Sequence, residues 1–164
     1  EIADGWLPFM YSPIKGEDIY KESLNNGFKK SGDSDKKNKF EIVTTVFGRV
    51  CDEDEIDQYL YPARNIYTLY VGGMGAKSKN FYYNLFCEYG YEDIADELQN
   101  LYLSGNKKES EELFPKELLN ELTLVGTKKE IEKKLETWKE SNITEISLSL
   151  PIDFETVKFI KELL

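Results

Sequence analysis

The chain has 164 residues, 31 acidic and 21 basic, for a formal net charge of −10; 40 % are hydrophobic, enough for a packed core. Mean hydropathy is −0.53, and no stretch nears the roughly 18 apolar residues of a spanning helix, which argues against a transmembrane protein. The acidic balance argues against a nucleic-acid partner, because phosphate binding needs a basic surface.

Length suggests about one domain. Asp4 to Tyr11 (DGWLPFMY) reads as a short strand, limited by Pro8 and ended by Pro13. Glu17 to Lys30 follows as a helix, with Ile19, Tyr20, Leu24 and Phe28 near helical spacing and Gly32 as its stop. Ser31 to Asn38 is expected to be a polar loop. Phe40 to Val50 is a strand with apolar residues on both parities, as in a parallel sheet covered on both faces. Asp52 with Glu55 marks a helix start. Ile56, Leu60, Tyr67 and Leu69 run along that helix, which Pro62 could bend.

The cluster Gly72-Gly73-Met74-Gly75 breaks the chain, and residues 78–89 form an aromatic-rich helix stopped by Gly90. Ile94, Leu98, Leu101 and Tyr102 mark another helix, ended by Gly105. A charged segment runs to Glu112, and Pro115 opens a further helix carrying Leu118, Leu119 and Leu122. Thr127 with Glu130 forms a capping box ahead of Ile131, Leu135 and Trp138, with Asn142 as a left-handed stop. Ile143 to Leu150 is the third strand, with Ile146, Leu148 and Leu150 opposite Ser147 and Ser149. Asp153 caps a last helix bearing Phe154, Val157, Ile160 and Leu164. The alternation of strands and helices predicts an α/β protein with a parallel sheet. The excursion before the last strand is long enough to be functional or an inserted lid.

Side-chain chemistry alone is sparse. The absence of histidine removes Ser/His/Asp triads, Cys/His dyads and His-bearing zinc sites from this chain. Cys51 and Cys87 make neither a disulfide framework nor a four-thiolate metal site, so no metal is expected and a reducing, cytoplasmic setting is. The glycine cluster follows a helix, lacks the P-loop Lys-Ser/Thr and lacks full GxGxxG spacing. It reads either as a helix-to-helix turn needing positive φ or as a loop touching an anionic cofactor tail. Trp6, Phe9 and Tyr11, and the aromatics from Phe81 to Tyr91, suit core packing or stacking on a planar ligand. Ser147 and Ser149 suit a small-residue packing layer or, in a barrel, its interior or mouth. Carboxylates fall mostly on outer helix faces. These readings stop at part of a cytosolic α/β enzyme or binding domain.

The segments EIADGWLPFMYSP (1–13) and LYVGGMGAKSKNFY (69–82) resemble the bacterial-luciferase-like superfamily, and within it the deazaflavin (coenzyme F-420)-dependent oxidoreductase branch. YGYEDIADELQNLYLSGNKKES (89–110), LFPKELLNELTLVGTKKEIEKKLETW (113–138) and SNITEISLSLP (141–151) continue the resemblance in the same order.

That resemblance implies a (β/α)₈ barrel of typically about 250 residues, for which this chain is too short. DGWLP resembles the sixth barrel strand, Phe40–Val50 the seventh and Ile143–Leu150 the eighth. The expectation is the C-terminal part of a barrel over residues 1–164, with a helical insertion at about 72–122. Glu1 is not a methionine and no signal peptide precedes Ile2, so the chain reads as a piece of a longer protein. Its first partner would be the N-terminal half of the barrel, without which two sheet edges lie open and the piece alone is poorly stable and inactive.

The implied activity is hydride transfer between the deazaflavin and a small organic substrate at the C-terminal mouth of the barrel. The alternatives are an FMN-dependent monooxygenase of the same superfamily and a non-catalytic binding or assembly module. Cofactor-binding candidates under the resemblance are Trp6, Leu7 and Pro8 at the sixth-strand mouth, and Gly72, Gly73, Gly75 and Asn80 in the loop. The resemblance names no catalytic acid or base within this chain. It also implies that the whole protein is a homo-oligomer.

Overall fold

The computed structural model describes residues 1–76, 79–149 and 151–163. They form two compact units: Glu1–Ile56 with Glu121–Leu164, and Asp57–Asn120.

The first unit is built on one strand. β2 (Glu41–Val50) pairs in parallel with each of the other three strands along successive stretches of its length. β1 (Gly5–Trp6) meets Glu41 and Ile42; β4 (Glu145–Ser149) meets Val43 to Phe47; β3 (Leu124–Gly126) meets Gly48 to Val50. β-branched and aromatic residues dominate β2, as a strand covered by packing requires. Ile42, Thr44 and Val46 are buried on one face, and Phe47 is buried on the other.

Helices cover the first of these faces. α1 (Gly16–Ser31) carries acidic residues in its first turn and lysines in its last, both favourable to the helix dipole, and ends at Gly32 with φ 73°. Its start is crowded: a Cβ on Gly16 would fall 2.3 Å from the Tyr11 ring, so only glycine admits that contact. α8 (Lys128–Glu140) begins in the Thr127/Glu130 capping box and buries Ile131, Leu135 and Trp138. α9 (Phe154–Leu163) starts where Asp153 accepts a hydrogen bond from the Thr156 N–H at 2.8 Å. Val46, Leu124, Ile131, Leu135, Trp138 and Ile160 form the core, with Ile146 and Leu148 packed against it.

The second unit is helical. Asp52 and Glu55 form the expected capping box over a short turn (Glu53–Glu55) that runs into α3 (Ile56–Gly73), which continues through Pro62. α4 (Phe81–Phe86) joins α5 (Glu92–Leu103) through a wide turn kinked at Gly90, φ 88°. α6 (Lys107–Glu112) and α7 (Lys116–Glu121) follow. The unit begins at Asp57, so α3 belongs with the helices that were expected to start at about 72.

Several expectations are corrected. The first strand is two residues long, because Met10 adopts φ 57° just beyond Pro8 and the chain turns away from the sheet. The loop 31–38 contains the start of a one-turn helix, α2 (Lys36–Lys39). The charged segment before Glu112 is helical, its exposed charges lying outside buried Ser110 and Glu111. Gly90 kinks a helical path and does not end it. Asn142 is not left-handed: α8 closes at Ser141 in extended conformation, whose hydroxyl donates to the Trp138 carbonyl. Three residues of the chain's third strand, β3, were not foreseen, so Ile143 onward leads to the fourth. Of the foreseen members, Ser78, Leu150 and Leu164 lie outside the described residues.

One side chain stands in for a missing ladder bond. The Thr144 hydroxyl accepts from the Ile42 N–H at 2.8 Å and donates to the Ile42 carbonyl at 3.2 Å. Thr144→Val leaves the Ile42 N–H without that acceptor and is expected to cost about 1–3 kcal/mol. Urea unfolding measures this, and an unchanged midpoint contradicts the assigned role.

Candidate functional site

In a parallel sheet, all C-terminal strand ends lie on one side, where loops gather groups for binding. The rim here is stepped. Among the described residues, β1 reaches Trp6, level with Ile42; β4 reaches Ser149, level with Phe47; and β2 reaches Val50. The face opposite the helices carries Val43, Thr45 and Phe47 from β2 and Ser147 and Ser149 from β4. Thr45 pairs directly with Ser147, and Phe47 with Ser149. Ser147 is exposed, and Thr45 and Ser149 are half-buried. The two serines thus sit on the side of the sheet away from the core formed by Ile146 and Leu148. Small hydroxyl side chains leave room for a flat molecule and can donate to or accept from its polar edge.

Trp6, Leu7 and Pro8 divide between the two sides. Trp6 packs on the core, edge-on to Tyr20 (4.6 Å between centroids) and to Tyr11 (6.1 Å). Pro8 is buried and its carbonyl accepts from the Thr44 hydroxyl at 3.1 Å. Leu7 is 79 % exposed and presents its side chain at the β1 exit. Two residues on, buried Met10 holds φ 57°, a left-handed conformation that costs a non-glycine residue on the order of 1–2 kcal/mol. Backbone strain of this kind gathers at functional sites, and nothing in the residue type announced it.

Beyond β1 the chain is pinned by side chains. The Tyr11 hydroxyl donates to Asn142 Oδ1, and burial holds that phenol far above its ordinary range. The Ser12 hydroxyl donates to Glu121 and accepts from the N–H groups of Ile14 and Lys15.

The end of β2 is clamped in the same way. Arg49 Nη1 lies 2.7 Å from Asp153 Oδ2, and the Val50 N–H donates to the Thr156 hydroxyl at 2.9 Å. The Thr156 hydroxyl and N–H hold the Asp153 carboxyl below its usual range. The Cys51 N–H donates to the Gly126 carbonyl at 3.0 Å, and its thiol is pushed up by burial and then by Glu55. A raised thiol pKa in such a setting is the opposite of an activated nucleophile. Lys134 Nζ donates to the Val125 carbonyl at 2.7 Å, and burial pulls its ammonium down to about 8 against the opposing pull of Glu130. Lys134 was not foreseen, because its helix position reads as solvent-facing charge.

Gly72, Gly73, Gly75 and Asn80 lie in the helical unit, apart in the chain's organisation from the strand ends. Gly72 and Gly73 are the last residues of α3, and a Cβ on either would fall 2.6 or 2.5 Å from Tyr102 of α5. Their bareness lets two helices approach. Gly75 holds φ 91° with open space around it, the positive-φ turn foreseen as one reading of the cluster. Asn80 is buried; its Oδ1 caps α4 by accepting from the Tyr82 and Tyr83 N–H groups, and its Nδ2 donates to the Tyr70 and Val71 carbonyls. Every polar atom of that side chain is engaged within the unit. Among the described residues no acidic, cysteine or histidine cluster could hold a metal ion, and no helix is long and apolar enough to cross a membrane.

A parallel sheet with helices packed against it is an α/β architecture. Its backbone matches a coenzyme F-420-dependent tetrahydromethanopterin reductase from Methanopyrus kandleri with a TM-score of 0.72 at 16 % identity, covering 100 % of this chain and 45 % of that one. It also matches an F-420-dependent secondary alcohol dehydrogenase, solved with an F-420-acetone adduct, at a TM-score of 0.62 and 16 % identity, covering 99 % of this chain and 42 % of that one. At the level of sequence, the luciferase-like monooxygenase profile matches residues 1–145, and the chain belongs to that family. A Mycobacterium tuberculosis protein, whose name assigns it provisionally to the coenzyme F-420-dependent oxidoreductases, is 34 % identical over 144 residues. That match covers 88 % of this chain and 41 % of the relative, so the chain spans about two fifths of the length of the protein it resembles.

Two expectations follow. Gly72→Ala and Gly73→Ala drive a methyl group into Tyr102 and should each cost about 1–3 kcal/mol in urea unfolding; wild-type midpoints would refute the packing role. Lys134 has a lower pKa folded than unfolded, where it is about 10.4, so its buried charge opposes folding in full below about pH 8, and that opposition declines steadily as pH rises from there toward the unfolded value. Relative to Lys134→Met, the wild type should therefore gain stability between pH 7.5 and 9.5. A stability difference that stays flat across that range would show Lys134 titrating normally.

Proposed function

We propose that this chain is the C-terminal portion of a (β/α)₈ barrel in a coenzyme F-420-dependent oxidoreductase. β1, β2 and β4 serve as barrel strands six, seven and eight, and Asp57–Asn120 is a helical insertion ahead of the last strand. The observation that carries the reading is the 34 % identity over 144 residues with the mycobacterial protein. The two structural matches, which cover 100 % and 99 % of this chain, support the fold that a barrel portion requires. In this reading the helix-free face of β2 and β4 lies toward the barrel interior, and β4, paired only with β2 among the described residues, offers its other edge to the first barrel strand.

The bound deazaflavin would supply a ring carbon that gives or takes a hydride from an organic substrate. The residues present fit one flat ring and its polar edge. Leu7 would cover the ring at the β1 exit, and Thr45, Ser147 and Ser149 would line the space beneath. They fit an anionic tail less well: Arg49 is held by Asp153, and Lys134 by the Val125 carbonyl. Trp6 and Pro8 hold the β1 exit in place, and Gly72, Gly73 and Asn80 shape the loop that carries Gly75. The proton-handling groups would come from the preceding barrel half, and the whole protein would act on a small molecule in the cytoplasm as a homo-oligomer.

Fluorescence titration of the full open reading frame with coenzyme F-420 and with FMN at matched concentrations tests the reading. Preferential binding of F-420 is expected. Preference for FMN moves the protein to the monooxygenase side of the family, and binding of neither identifies a module without a cofactor.

A further inference from the structure

We propose that the groove at the N-terminal ends of β2 and β4 is a binding site for a small amphipathic carboxylate, an aryl or branched-alkyl body with one anionic head. It lies at the opposite end of the strands from the proposed cofactor face and does not depend on that assignment. The cavity, about 180 Å³, is enclosed entirely by residues of the first unit, between α1, the α2–β2 junction and the approach to β4.

Its floor is apolar, and its rim carries two lysines and one glutamate. Phe28 and Phe40 meet edge to face, 5.2 Å between centroids, and Ile42 continues the floor. A flat or branched hydrocarbon body laid on that pair removes apolar surface from water on both sides. Lys21 and Lys37 stand on the rim. The lysines of α2 divide by partner: Lys36 lies 2.8 Å from Asp4, and Lys39 bridges Asp33 and Asp35. Among the described residues, Lys37 and Lys21 have no ion-pair partner. In a chain of net charge −10, two uncommitted ammonium groups over one aromatic floor form a local field of the opposite sign.

Asn142 also lines the groove; its Oδ1 accepts from the Tyr11 hydroxyl, and its amide N–H₂ is a donor that a bound carboxylate can use. Two cations and a neutral donor suit a carboxylate. Glu17, on the same rim, repels a second negative charge and limits the ligand to a monoanion.

The test uses 3-phenylpropionate as the probe, with calorimetric titration of the full chain, and its uncharged counterpart 3-phenylpropanol as the control. Saturable binding of the acid is expected in the millimolar range or tighter, with the alcohol weaker by about tenfold or more. The double variant Lys21→Gln/Lys37→Gln changes two exposed side chains, so its unfolding midpoint should stay at the wild-type value while affinity for the acid falls about tenfold. Equal affinity for acid and alcohol, full retention of binding in the double variant, or no saturation by either probe overturns the proposal.

Discussion

Among the described residues, all sheet pairing runs through β2. Three strands that are far apart in sequence find their register only against it, in consecutive stretches from Glu41 to Val50. The constraint is severe because side chains alternate across a strand. A slip of one residue would turn Val46 away from Leu124 and Ile131 and bring Thr45 and Phe47 into their place. The devices around β2 all act against such a slip: Thr144 grips both backbone groups of Ile42, Thr44 holds the Pro8 carbonyl, and Thr156 holds the Val50 N–H. Three threonines thus fix the strand at its beginning, middle and end.

That anchoring explains how the proposed site is built. With β2 fixed and its helix-facing residues committed to the core, its other face buries Phe47 and leaves Thr45 half-buried beside Ser147. Thr45, Ser147 and Ser149 can remain small and polar there because the core does not need them. The exit of β1 is held by Trp6 packing, by Tyr11 and by Ser12, which leaves Leu7 exposed at a defined position. Binding groups placed on a rigid frame in this way require little ordering when a ligand arrives.

Much of this was legible in the sequence wherever a local rule has a strong physical cause. The Thr127/Glu130 and Asp52/Glu55 boxes, the left-handed Gly32 and the double-parity pattern of β2 each follow from hydrogen bonding or burial within a few residues. What escaped was set by distant contacts. Leu124–Gly126 is too short to show alternation and is a strand only because Gly48 to Val50 lie beside it. Asn142 has the residue type of a helix stop, but Tyr11 claims its side chain and Ser141 ends the helix instead. Gly72 and Gly73 looked like a possible phosphate loop, yet the reason for their bareness is Tyr102, some thirty positions away along the chain. Of the site candidates, the alternation of Ser147 and Ser149 was readable, whereas the division of Trp6 from Leu7 depended on which way the chain leaves β1.

The position of the helical unit within the chain has a consequence for assembly. Ile42 and Thr144, which meet in the sheet, stand 102 positions apart, and Asp57–Asn120 fills most of that interval. Helices make their contacts locally and form early, whereas the sheet must wait for distant segments to meet. Once Asp57–Asn120 has condensed, the flexible chain between β2 and β4 is cut to less than half. The logarithmic cost of closing a loop then falls by about 1 kcal/mol. A segment that reads as an interruption of the sheet thereby acts as a tether that draws the last strands back toward the strand they need.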